Sequence, residues 1–238
     1  DSMLKIAREI NFSETAFVRV DKKDGQLSLR WFTPSQEIDL CGHATLATAK
    51  ILFEKGIVNL NRTIEFITRS GTLTAKLVDD KIELDFPSIN LDTAESDEII
   101  ATVFNGVPEY VRTNNNWCLI EIENEEYLKS LKPNFELLKT HSKLFFVLTA
   151  KSSNPKYDFI SRCFGPAVGI NEDPVTGSAH CCLAPYWSAK LNKNVLIGFQ
   201  ASERTGVVEC ELRPDERVLL RGDAVIMSEL KHSWTSYL

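Results

Sequence analysis

The order of elements along the chain predicts an α+β protein built as two similar lobes. Each lobe is expected to be a curved, mostly antiparallel sheet wrapped around one central buried helix. Three observations carry this. Strand-like segments arrive in runs with only two long helices among them, which suits a segregated α+β fold better than alternating βαβ units. Both long helices are nearly free of charge. The residues leading into those helices occur twice.

In chain order, Met3, Ile6, Ala7 and Ile10 follow helical spacing, so the chain begins in an amphipathic helix. Residues 15–20 and 27–32 are strand-like, joined through the turn signal Asp24-Gly25. A helix is predicted over 43–55, stopped by Gly56. Strands follow over 63–68, 73–78 and 81–86, with Asp79-Asp80 turning between the last two. Ser96-Asp97-Glu98 carries N-cap chemistry for a short helix to Phe104. Strands over 110–112 and 117–123 flank Asn114-Asn115-Asn116, and short helices fall between 125 and 139. Strands resume over 144–149 and 157–164, a second long helix spans 178–191, and four further strands are expected between 195 and 230. Composition places the weakest boundary near 87–94, giving lobes of residues 1–92 and 93–238, the first completed by C-terminal strand residues.

The repeat is the most informative pattern. Arg30-Trp31-Phe32-Thr33-Pro34 and Arg162-Cys163-Phe164-Gly165-Pro166 both read R-x-F-x-P. Downstream, Cys41-Gly42-His43-Ala44 matches Thr176-Gly177-Ser178-Ala179, each opening a long helix. The second copy has three extra residues in its loop, expected within 169–174. From His43 to Phe53 the only charged side chain apart from His43 is Lys50, and residues 178–189 carry none. Such helices must be surrounded rather than laid on a surface. Pro185 inside the second should kink it or loosen the turn before it.

Composition excludes several classes. The 238 residues carry 27 Lys and Arg against 33 Asp and Glu, a net charge of −6, so no basic surface for nucleic acid or an anionic membrane is expected. No apolar run approaches the roughly 18 residues of a membrane span. At 43% hydrophobic and 25% charged the chain is neither disordered nor collagen-like. None of the six cysteines forms a C-x-x-C pair, and His180 beside Cys181 and Cys182 points its neighbours in different directions, so no metal is expected. Reduced thiols without an export signal point to the cytoplasm.

The glycines at the two helix starts have a chemical reading. First-turn N–H groups lack intrahelical partners and lie at the positive end of the helix dipole. Gly42 and Gly177 would let a ligand approach that backbone closely. Two such ends facing one another across a lobe interface would hold a carboxylate and stabilise an enolate-like charge. Alternatively, both glycines serve only tight turns. Glu14 is a lone acid within Phe12-Ser13-Glu14-Thr15-Ala16-Phe17, where burial would raise its pKa toward the proton-shuttling range; alternatively it is a capping-type carboxylate or an exposed strand residue.

At these residues the chain resembles the PhzF-type, phenazine-biosynthesis-like isomerases. The resemblance rests on Ser13-Glu14-Thr15-Ala16-Phe17, Arg30-Trp31-Phe32-Thr33-Pro34, Asp39-Leu40-Cys41-Gly42-His43-Ala44-Thr45 and Glu172-Asp173-Pro174-Val175-Thr176-Gly177-Ser178-Ala179-His180. It implies the diaminopimelate-epimerase-like fold of two pseudo-symmetric lobes. It also implies cofactor-independent proton transfer on a small carboxylic acid, and frequently a homodimer. Carried over by motif, Glu14 corresponds to the acid/base, His43 and Asp173 to polar groups of the same cleft, and Gly42, Gly177 and Ser178 to the carboxylate-facing helix starts. The family usually opens with a strand and a Gly-Asn-Pro loop, and this chain begins after them, so the first lobe is expected to lack a strand.

Two other functions stay open. Sister families sharing the scaffold use a cysteine before each helix glycine as a two-base racemase or epimerase. Here Cys41 holds the first position and Thr176 the second, which disfavours symmetric racemisation. The other is a catalytically silent binding or regulatory protein on the same scaffold.

Overall fold

The computed structural model describes residues 2–21, 23–104 and 110–230. The chain divides into two compact units, residues 1–85 with 221–238, and residues 86–220.

The first unit opens with helix α1 (Ser2–Ile10), which buries Ile6 and Ala7. Strands β1 (Thr15–Val20) and β2 (Leu27–Phe32) pair antiparallel, with Thr15 opposite Phe32. Gly25 turns between them at φ +74°, where a side chain would be strained. The two-residue strand β3 (Glu37–Ile38) folds back on β2, helix α2 (Gly42–Glu54) follows, and β4 (Ile64–Thr68) returns parallel to β2. Strands β5 (Gly71–Val78) and β6 (Lys81–Pro87) continue antiparallel, turning at Asp79 and Asp80, both at positive φ.

The second unit begins with β7 (Asp92–Ala94) and α3 (Glu98–Val103), whose N-cap Asp97 accepts from the Ile100 amide at 2.8 Å. Strands β8 (Tyr110–Thr113) and β9 (Trp117–Glu121) follow, then the short helices α4 (Glu125–Ser130) and α5 (Phe135–Leu138). Strand β10 (Phe145–Lys151) runs parallel to β9, and β11 (Phe159–Gly165) runs antiparallel to β10. A 3-10 turn (Pro166–Val168) leads to β12 (Ile170–Asp173), which folds back on β11. Helix α6 (Gly177–Leu191) follows, and β13 (Val195–Gln200) returns parallel to β11. Strands β14 (Gly206–Leu212) and β15 (Arg217–Gly222) complete the order. The sheets are mixed, with antiparallel pairs outnumbering parallel ones. No helix among the described residues is long and apolar enough to cross a membrane.

The duplicated motif has a side-chain basis. In both units the order is strand, short antiparallel strand, helix, and a strand parallel to the first. Arg30 on β2 binds Glu37 on β3 through Nε–Oε1 at 2.7 Å and Nη2–Oε2 at 2.8 Å. Arg162 on β11 binds Glu172 on β12 through the same atoms at the same two distances. Residues i and i+2 share a strand face, so Arg30 lies over the Phe32 ring and Arg162 over the Phe164 ring, both at 5.0 Å. The R-x-F spacing is thus a guanidinium laid on an aromatic ring with its fork turned to a carboxylate. The three extra residues of the second copy fall between Pro166 and Glu172, in and just after the 3-10 turn, a stretch that overlaps the expected 169–174.

Burial distinguishes the two helices. Helix α6 buries Ala179 through Ala184 continuously, and Trp187 donates from Nε1 to Thr149 Oγ1 at 2.9 Å. Helix α2 is less enclosed than its composition suggested, because Ile51 is exposed. Pro185 leaves α6 unbroken. Lacking an N–H, it frees the Cys181 carbonyl, which accepts instead from the Ile89 amide at 2.9 Å. Three strands, not four, lie between 195 and 230, because 223–230 form no strand. That stretch leaves Val225 and Met227 exposed rather than packed.

The two clamps differ in shielding, and that sets their expected worth. Arg162 is 8% exposed and also donates from Nη1 to the Leu131 and Leu128 carbonyls at 2.6 and 3.0 Å, whereas the Arg30 side chain is 37% exposed. Arg162→Met is expected to cost about 3–5 kcal/mol, because it strands a half-buried carboxylate and two buried carbonyls. Arg30→Met should cost no more than about 1 kcal/mol. Urea unfolding of both variants measures this, and equal losses would disprove the distinction.

Candidate active site

On the first unit, Glu14 lies immediately before β1 and His43 in the first turn of α2. The Glu14 side chain is 6% exposed, and its Oε2 lies 2.9 Å from His43 Nε2, off the line of a well-formed hydrogen bond. Cys41, the N-cap residue of α2, makes no side-chain cap, and its buried sulfur lies 3.8 Å from His43 Nδ1 and 3.7 Å from Nε2. Its carbonyl instead accepts from Thr45 Oγ1 at 2.6 Å. Glu14, Cys41 and His43 each offer one ligand atom within 4.8 Å of the others.

The electrostatics correct one expectation. Burial alone pushes the Glu14 carboxyl up, as the sequence suggested, but the His43 imidazole beside it, with a bond from Ser13, outweighs this. The net direction is down, so Glu14 is held as a carboxylate at neutral pH. Burial pushes the Cys41 thiol up, with His43 pulling partly back.

On the second unit, Asp173 ends β12 and Thr176 is the N-cap residue of α6, again with no side-chain cap. The Thr176 hydroxyl pairs with Asp173 Oδ2 at 2.5 Å. Gln200, fully buried, accepts from the Thr176 amide at 2.8 Å and donates to the Asp173 carbonyl at 2.7 Å. Ser202 donates to the Pro174 carbonyl at 2.7 Å. Gly177 and Ser178, both half-buried, form the first turn of α6. Gly206 backs this loop, since a Cβ there would stand 2.3 Å from Val175. Sequence reasoning missed Gln200, Ser202 and Gly206, which lie on or beside a later hairpin and carry no local motif.

The structure therefore brings Glu14, Gly42 and His43 together on one unit, and Asp173, Gly177 and Ser178 together on the other. His180 takes the place in the repeat that Thr45 takes in the first copy, its Nδ1 2.8 Å from the Thr176 carbonyl. The neighbouring Cys181 and Cys182 thiols donate to the Gly177 and Ala179 carbonyls.

The profile of the phenazine biosynthesis-like protein family (PhzC-PhzF) matches residues 1–230. The chain belongs to this family. An uncharacterized isomerase of Halalkalibacterium halodurans is 51% identical over 233 residues, covering 96% of this chain and 86% of that protein. The crystal structure of a putative phenazine biosynthesis PhzC/PhzF protein from Clostridium difficile is 40% identical with a TM-score of 0.88, covering 97% of this chain and 87% of that one. A probable proline racemase from Agrobacterium radiobacter shares the fold alone, at 11% identity and a TM-score of 0.60, with 97% and 82% covered. The PhzF-like chain thus has a mixed α/β fold with neighbours of the epimerase and racemase type.

His180 gives this PhzF-like chain a defined acid sensitivity. Burial pushes its imidazole down from 6.5 to about 4, against a smaller opposing pull from the Thr176 carbonyl. In the unfolded chain it protonates near pH 6.5, whereas in the folded chain it stays neutral to about pH 4. The unfolded state therefore binds more protons in that window, and stability falls as pH drops from 6.5 to 4, by about 3 kcal/mol in all. Chemical denaturation of the wild type and His180→Asn between pH 7 and pH 4 should show a shallower decline in the variant. Parallel declines would remove His180 as the cause.

Proposed function

We propose that this chain is a cofactor-independent isomerase that moves a proton within a small carboxylic acid. Glu14 takes a proton from a substrate carbon, the released electron pair shifts into the conjugated carboxylic acid, and the same carboxyl group redelivers the proton at another carbon. His43 keeps Glu14 ionised before the first step. The helix start at Gly42 offers backbone N–H groups to a substrate carboxylate, and on the second unit the start at Gly177, with Ser178 and Asp173 beside it, offers a cradle of the same kind. The observation that carries the reading is a nearly buried carboxylate kept below its ordinary range by an imidazole 2.9 Å away. Both helices also begin without a side-chain cap, which leaves first-turn donors for a ligand.

The same reading extends to the architecture and setting. The repeated strand, short strand, helix and parallel strand supports two pseudo-symmetric lobes of the diaminopimelate-epimerase type. The six free thiols support a reducing, cytoplasmic setting. We also infer a homodimer, and light scattering on the purified chain should return twice the chain mass; a monomer at working concentration would refute it. Against two-base racemisation stand the Cys41 thiol, pushed up by burial, and the Thr176 hydroxyl, engaged with Asp173.

The test is proton exchange. Small unsaturated and hydroxylated carboxylic acids incubated with the protein in deuterated water should take up deuterium at one carbon, seen by NMR. Glu14→Gln should slow uptake by about 10²–10⁴-fold while leaving binding of the acid intact. Unchanged uptake would remove Glu14 from the mechanism. If no acid exchanges or stabilises the protein, the isomerase reading falls in favour of a binding role.

A further inference from the structure

We propose that the second unit carries a binding site for a small monocarboxylic acid with an apolar body, in a cavity beside the later turns of α6. The cavity measures about 290 Å³, near the lower end of the size range of small-ligand pockets. Its helical wall is Cys182, Pro185, Tyr186, Ala189 and Lys190. These follow i, i+3, i+4, i+7 and i+8 spacing and so form one helix face. The irregular stretch 89–91 and Arg112 of β8 complete the lining.

The walls are held in place by backbone bonds. The Ser88 amide donates to the Glu216 carbonyl at 2.8 Å, and the Ile89 amide to the Cys181 carbonyl at 2.9 Å. Leu91 leads directly into β7, whose Thr93 lies opposite Arg112. Side chains two apart on an extended chain share a face, so Leu91 lines the cavity beside Arg112. Ile89, Leu91 and Pro185 give the cavity its apolar surface. Cys182 adds no charge, because burial pushes its thiol up and its sulfur donates to the Ala179 carbonyl at 3.0 Å.

Charge selects the ligand. Two cations line the cavity, Arg112 and Lys190, and no Asp or Glu does. Lys190 is paired with Glu121, which also accepts from the Tyr186 hydroxyl. Arg112 lies 5.6 Å from the centroid of the Tyr186 ring, and among the described residues it has no carboxylate partner. One cation is therefore balanced and one is not. A single excess positive charge calls for a monoanion, and a planar guanidinium takes a carboxylate through two parallel N–H···O bonds. Inorganic phosphate would supply charge but nothing for the apolar wall, and a neutral ring would supply the reverse. The site is independent of the isomerase reading, which uses only Gly177 and Ser178 in the first turn of α6.

Benzoate titrated into the isotope-labelled full chain, followed by two-dimensional amide NMR, tests the site. The amides of Leu91, Arg112, Tyr186 and Ala189 should shift together and saturate with one Kd. Arg112→Gln should weaken that binding by at least about 10-fold, the loss of a charge-assisted pair. Ala189→Phe, which fills the cavity from an exposed position of its helical wall, should abolish it. Benzyl alcohol and inorganic phosphate, each lacking one half of the match, should bind there at least about 10-fold more weakly than benzoate. No saturable shift at these amides, an unchanged Kd in Arg112→Gln, or phosphate binding as tightly as benzoate would overturn the proposal. Should Arg112→Gln not fold, benzoate binding unaltered by Ala189→Phe would overturn it. Because the shifts are read residue by residue and need no turnover, they separate this site from any benzoate held at the helix starts.

Discussion

The constraint on which both units depend is an arginine fork that fastens a short strand back onto a longer one. Without it, two or four residues of β3 or β12 have too few ladder bonds to hold their place. With it, the chain is delivered at a fixed point, from which α2 or α6 can begin. The aromatic ring two positions along the strand supports the guanidinium from below, so ion pair and hydrophobic core are one assembly. In the second unit the same arginine also takes up carbonyls at the end of α4 and so ties a third element to the clamp. Buried ion pairs contribute little net stability against an apolar replacement. Their value here is in register: a slipped β12 would misplace Glu172 and leave a shielded charge unmatched.

Downstream of each clamp, the units solve the helix start differently. In the first, Cys41 and His43 surround Glu14, and the local chemistry is that of a carboxylate, an imidazole and a thiol. In the second, Gln200 reaches from β13 to hold both ends of the Asp173–Thr176 turn, so the loop is fixed by neutral hydrogen bonds. The two units share a backbone path here and differ in the side chains that line it. The Thr45 and His180 pair shows this in miniature, since each binds the carbonyl four residues earlier with different chemistry.

Much of this was legible in the sequence because it is local. Strand-like composition over 15–20 and 27–32, with the Asp24-Gly25 turn between, specified β1 and β2 to the residue, and the nearly uncharged runs marked α2 and α6. The repeat was legible because R-x-F is an i, i+2 relation. Its carboxylate partners were not, because Glu37 and Glu172 lie across loops of unequal length on strands too short to show a period. The direction of the Glu14 shift was misread for the same reason: neighbours in sequence report burial, whereas the counteracting imidazole arrives from another element. Gln200 carries no motif, and its role exists only once β13 lies beside β11. The fourth strand expected between 195 and 230 is not found, because apolar residues such as Val225 and Met227 become a strand only where a partner edge is available.

Pro185 has a consequence that reaches beyond its helix. The carbonyl it releases is claimed by the Ile89 amide, and the preceding Ser88 amide is claimed by the Glu216 carbonyl at 2.8 Å. Two successive amides of an irregular stretch are therefore locked into backbone partners, one of them inside α6. A stretch that looks like slack tether by composition should exchange its amide protons with solvent as slowly as the helix it leans on. A residue usually described as a helix breaker here acts as the helix's point of attachment to the loop.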